Sequence, residues 1–162
     1  MEHTMNDKFK LTEETIELPR RTLYRIEAIK DFGCVHKGDK GGFVEKEDNL
    51  SIIGDSWIFG NACVFDNARI FENARIYGEA KIFGDALIYD NVNIFDNARI
   101  YDSATISGNA LIFGNVNIYD NARVYGKTRI SGNAMVCGYA KVFRNAIVSG
   151  NEWIFGNTEI CD

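Results

Sequence analysis

The chain has 162 residues, 46% of them apolar, with 18 Lys/Arg against 23 Asp/Glu for a formal net charge of −5, and a single proline. That length suits one domain with a core of its own. The modest acidic balance, spread along both halves of the chain, excludes a bulk nucleic-acid binder, and no run of about 18 apolar residues offers a membrane span.

The first 51 residues differ in composition from the remaining 52–162. "MEHTMNDKFKLTEETIEL" contains no apolar run suited to a signal peptide, so the expected location is cytoplasmic. "LTEETIEL" and "RTLYRIEAI" each alternate apolar and polar residues around Pro19, which predicts a hairpin, and "HKGDKGG" reads as a turn cluster. Residues 1–51 are therefore expected to form an N-terminal cap. Cys34, Cys63, Cys137 and Cys161 are far apart and show no CxxC pair, which points to free thiols and away from a zinc site or disulfides.

From Ile52 to Glu159 the chain divides into eighteen hexapeptides with no residue inserted or lost. Slot one is always Ile or Val, slot two is aromatic in thirteen units, slot three is mostly Gly or Asp, slot four is Asn in twelve, and slot five is Ala in twelve. Slots five, six, one and two predict a short strand, with five and one pointing inward and six and two outward. Slots three and four are turn chemistry, because Gly and Asn accept the left-handed backbone that a sharp corner needs. Three units close one triangular coil of eighteen residues, and six coils stack into a prism about 29 Å tall, covering residues 52–162. "KEDNLS" at 46–51 is already in register, with Asn49 in slot four and Leu50 in slot five, and predicts an imperfect opening turn.

This unbroken pattern resembles the left-handed parallel β-helix of the hexapeptide-repeat superfamily, an all-β triangular solenoid. The stretch "RTLYRIEAIKDFGCVHKGDKGGFVEKEDNLS" resembles more narrowly the YdcK-like proteins of bacteria and phage, which brings no activity with it. The superfamily resemblance implies an acyltransferase that uses acyl-CoA and a His general base, whose near-neutral pKa suits the task. Only His3 and His36 are present, neither of them in a coil, and His36 is the one candidate base. The coils also lack the long inserted loop that those enzymes wrap around a neighbour. Asp66, Asp85, Asp102 and Asp120 share one corner and are read as turn residues bonding their own backbone, in preference to a cation site. No metal and no cofactor are expected, and no GxGxxG or GxxxxGK pattern occurs.

What remains is surface. One face carries Trp57, Phe59, Tyr77, Phe95, Leu111 and Phe113 in outward slots and is read as nearly free of charge, a candidate protein-binding face. A second carries Phe65, Lys81, Phe83, Arg99, Tyr101 and Tyr119. The third alternates cations with aromatics at Arg69, Phe71, Arg123, Tyr125, Lys141 and Phe143, a pattern suited to single-stranded nucleic acid or another polyanion. Near the C-terminus, Glu152 stands in an inward slot, either protecting the sheet edge by its charge or bending out to solvent. The sequence reading is a rigid, non-catalytic binding or assembly module. It would act through a protein partner or through self-association as a dimer or trimer. The phage occurrence of similar proteins implies an inhibitor of a host factor as one form of that role.

Overall fold

The computed structural model describes residues 4–162, so His3 lies outside the described residues. The chain opens with β1 (Phe9–Leu18), β2 (Arg21–Ala28) and β3 (Lys40–Val44), and continues as eighteen short strands from β4 (Trp57–Ile58) to β21 (Glu159–Cys161). Most of these are two residues long, slots six and one, because the corner residues depart from the extended backbone on either side. Each of the first fifteen pairs in parallel with the strand eighteen residues on, Asn93 with Leu111 and Ile94 with Ile112, and the last three end the sheets. Three sheets result, two of six strands and one of nine, in which β1, β2 and β3 extend the stack of β5 (Cys63–Val64) and its successors. The protein is a parallel β-solenoid.

Its turns number about seven where six were expected. The added turn comes first: Phe43 and Val44 of β3 pair in parallel with Cys63 and Val64, and Leu50 bridges Ile70. The opening turn expected at 46–51 is present but two residues out of the expected register. Leu50 faces the slot-one Ile70, twenty residues on, and Ser51 N–H donates to Ile70 O at 2.8 Å, so Leu50 takes the place of slot one and not of slot five. Asn49 is buried in this turn and donates to the carbonyls of Asp66 and Ala68 at 3.1 and 2.9 Å. Ile52, counted as the first inward residue, is only half-buried on a bend, and the neighbouring Ile53 is exposed.

Inside the prism, Ile or Val of slot one and Ala of slot five are closed off from solvent from Ile58 to Val148. The hydrogen bonding is equally regular. Asn93, Phe95 and Asn97 donate their N–H groups to the carbonyls of Ala110, Ile112 and Gly114 at 3.0, 2.9 and 3.0 Å, and the pattern repeats through the stack.

All eighteen slot-three residues have positive φ, eleven of them Gly and seven not, with the seven between 55° and 61°. Slot four does not share this conformation, contrary to the sequence reading. Its Asn side chains instead bond coil to coil, as Asn115 to Asn133 and Asn133 to Asn151 at 3.1 and 3.0 Å. The corner Asp residues also do something other than bond their own backbone. Asp66, Asp90, Asp96 and Asp120 accept the N–H of Gly84, Gly108, Gly114 and Gly138, each eighteen residues on, at 3.1, 2.7, 2.9 and 3.0 Å. Asp tolerates the left-handed region better than most residues, and here it also satisfies an amide that the ladder leaves open.

The cap closes on the first coil through two residues read as part of a turn cluster. Gly41 and Gly42 lie within β3, and a Cβ at either would meet backbone oxygen, Ile58 O at 2.6 Å or Ala62 O at 2.4 Å. Only glycine permits that approach. Beside them Lys8 is 1% exposed, its Nζ donating to Ser51 O and Ser56 O at 2.9 and 2.8 Å. Burial lowers its pKa from 10.5 to about 8, although the nearby Asp55 pulls the other way.

Truncating an inward residue of a middle coil, Ile94→Ala, should cost roughly 2–5 kcal/mol in urea melts by leaving a cavity, whereas the exposed Arg99→Ala should change stability by less than about 0.5 kcal/mol. Lys8 gives a pH signature. Between its folded value of about 8 and the unfolded 10.5 the unfolded chain binds the extra proton, so stability should rise with pH across that window. That increment should be missing from Lys8→Met in melts at pH 7.5 to 10.

Candidate functional site

The three faces are defined by the three sheets, and slots six and two place the side chains. On the first face Phe59, Tyr77 and Phe95 stack ring on ring, with centroids 4.5 and 4.7 Å apart and planes within 8°. All three are half-buried, as are Leu111 and Phe113 further along. Trp57 is not part of this surface: it is 1% exposed, with Phe9 and Phe32 of the cap packed edge-on at 6.3 and 5.4 Å. An outward slot on the first coil becomes interior once the cap folds over it. Nor is the face nearly free of charge. Arg75 and Arg129 occupy its slot six, and the Arg129 guanidinium lies over the Phe113 ring at 5.0 Å.

The second face carries the longest stack, Phe65, Phe83, Tyr101 and Tyr119, at 4.9, 4.9 and 5.0 Å. It is closed at one end by Arg21 over Phe65, whose guanidinium also reaches Asp66 and Glu45. At the other end Trp153 Nε1 donates to Cys137 Sγ at 3.4 Å, and a hydrogen bond with that thiol pushes the Tyr119 hydroxyl up to about 12. All four cysteines are free, Cys63 and Cys137 buried and Cys34 and Cys161 exposed.

The third face is divided. Phe71 stacks on Tyr89 at 5.0 Å and Tyr125 on Phe143 at 5.2 Å, but between the two pairs slot two is Ser107 and slot six is Thr105, on β12 (Thr105–Ile106). A cleft of about 580 Å³ opens there, lined by Tyr89, Thr105, Ser107, Arg123, Tyr125 and Lys141. The six residues predicted as a polyanion track therefore fall into two groups. Arg69 and Phe71 lie on one side, and Arg123, Tyr125, Lys141 and Phe143 on the other. Lys141 is further engaged by Glu159 at 2.7 Å, a bond that raises its pKa, whereas Arg123 makes no ion pair among the described residues. Tyr89, Thr105 and Ser107 were not singled out from the sequence. The signal was present: slot two on this face reads Phe, Tyr, Ser, Tyr, Phe at 71, 89, 107, 125 and 143, an aromatic ladder with one rung missing.

His36 stands in the turn before β3, with 79% of its side chain exposed and Nδ1 3.8 Å from Asp39. Glu152 is exposed, its carboxylate accepting Ser149 N–H at 3.4 Å. Among the described residues no cluster of His, Cys, Asp or Glu is placed to hold a metal ion, and no helix is long and apolar enough to cross a membrane.

Residues 118–129 match the family model of the YdcK beta solenoid repeat. The matched segment runs from a slot-one Ile to a slot-six Arg, two whole hexapeptides, and includes Arg123 and Tyr125. The match bears out the YdcK-like resemblance at a segment of the solenoid other than the N-terminal stretch on which the sequence reading based it. No curated protein matches the chain.

Replacing Trp57 by Ala should cost roughly 3–5 kcal/mol in denaturant melts, the behaviour of a core aromatic. His36→Ala should leave stability within about 0.5 kcal/mol, as for an exposed turn residue.

Proposed function

We propose that this protein is a rigid, non-catalytic binding module that associates through its first face. The observation that carries this reading is the stack of Phe59, Tyr77 and Phe95, continued by Leu111 and Phe113, half-exposed on a flat parallel sheet and flanked by Arg75 and Arg129. A stack of this kind stabilises its own sheet by contact between coils. It also presents aromatic area and guanidinium groups, both enriched at protein contacts.

The complementary surface is apolar with carboxylates at its edge. A second copy supplies that chemistry, since Glu79 and Asp96 lie exposed on the corner beside the same face. Side-by-side packing in a closed dimer or trimer avoids the open-ended growth of end-to-end stacking. Two faces of this size bury on the order of 1,000 Å², the lower bound for a specific interface, so the association is modest and sensitive to single charges. The exposed turn position of His36 supports the non-catalytic reading over acyl transfer. The break in the third face at Ser107 weighs against a continuous polyanion track.

Light scattering over a concentration series should show wild-type self-association, weakened at least about tenfold by Phe95→Asp with an unchanged circular dichroism spectrum. A wild type that stays monomeric throughout the series refutes the reading.

A further inference from the structure

We propose that the cleft at β12 is a binding site for a single planar heteroaromatic ring that carries an anionic group, the chemistry of a nucleoside monophosphate. It lies on the third face and is independent of association through the first.

The argument starts from the ladder spacing. Coils repeat at about 4.8 Å, so one missing rung leaves Tyr89 and Tyr125 about 9.6 Å apart along the prism. Each ring has one side occupied, Tyr89 by Phe71 and Tyr125 by Phe143, and the other turned towards the gap. A planar ring inserted midway would sit about 4.8 Å from each, within the range of offset stacking. A guest ring would thus complete the stack as the absent side chain would have done. An aliphatic guest fills the same space without that match.

The remaining lining residues specify the rest of the ligand. Thr105 and Ser107 form the floor, and neither hydroxyl is bonded to a protein group among the described residues, leaving donors and acceptors for the edge of a base. Arg123 and Lys141 stand to one side, which favours an anionic substituent there. Lys141 already shares its charge with Glu159, so Arg123 is the main anion contact. A volume of about 580 Å³ is that of a small-molecule site. A strand of nucleic acid is disfavoured, because stacked pairs close the slot on both sides and the chain is acidic overall, with a net charge of −5.

Isothermal titration calorimetry with AMP, adenosine, inorganic phosphate and a single-stranded oligoadenylate decamer tests the assignment on the whole chain. AMP should bind with one site per chain. Ser107→Phe supplies the missing rung and should abolish that binding while keeping the melting temperature equal or higher. Tyr125→Ala should weaken AMP by about ten- to a hundredfold through lost stacking. Arg123→Gln should weaken AMP about tenfold and leave adenosine unchanged.

Absence of AMP binding at about 10 mM, weaker than any affinity worth assigning, overturns the proposal, as does AMP binding that persists in Ser107→Phe. A decamer that binds far more tightly than AMP, with a steep loss in salt, overturns the mononucleotide assignment in favour of a strand.

Discussion

Everything in this protein depends on a backbone ladder that repeats every eighteen residues, and the ladder depends on its corners. The N–H groups of slots six, two and four all donate to the next coil, so each coil is held by bonds it cannot make within itself. A strand of two residues has no independent stability. It persists because the coils before and after it present matching donors and acceptors at about 4.8 Å. This requires every corner to turn by the same amount, which the left-handed slot-three residue does eighteen times.

The corner explains the choice between Gly and Asp. Glycine enters the left-handed region at no steric cost. Where Asp stands there instead, its carboxylate bonds a backbone N–H of the next coil, as Asp90 does with Gly108 at 2.7 Å. One residue type therefore supplies both the bend and a tie between coils. The corner of carboxylates weighed in sequence against a cation site is engaged in the structure by amides, backbone N–H groups at Asp66, Asp102 and Asp120 and the Asn67 side chain at Asp85. Periodicity also extends to the surface: once the coils are in register, any side chain repeated every eighteen residues lies directly over its copy. The aromatic stacks, with planes mostly within about 14° of parallel, arise from the fold without a separate cause.

For that reason the departures from the repeat are more informative than the repeat itself. An aromatic in slot two is the rule, and Ser107 between Tyr89 and Tyr125 is an exception that opens a cleft. Small residues in slot two near the C-terminus, Ser131 and Ser149, end the first-face stack and do not interrupt it, so they leave no such gap between rings. At the N-terminal end the exception is steric: Gly41 and Gly42 lack the side chains that would hold β3 away from Ile58 and Ala62. The cap strand can then join the sheet and carry the hairpin with it.

The hexapeptide pattern by itself determined the parallel solenoid and its inward Ile, Val and Ala column, because a period-two strand with a periodic corner has one way to bury its apolar slots. The alternation on either side of Pro19 determined the hairpin. The opening turn was legible too, but its register was not, since Leu50 faces Ile70, twenty residues on. The hexapeptide pattern also carried the missing rung at Ser107, legible once slot two is read down a single face. The burial of Trp57 was not legible, since its slot points outward in every other coil. Only the cap, whose Phe9 and Phe32 are more than twenty residues away in the chain, makes it interior. The same holds for the carboxylate ties and for the division of the third face. A slot assigns a direction from the local backbone, whereas partners, burial and cleft depth are set by groups that only the folded chain brings within bonding distance.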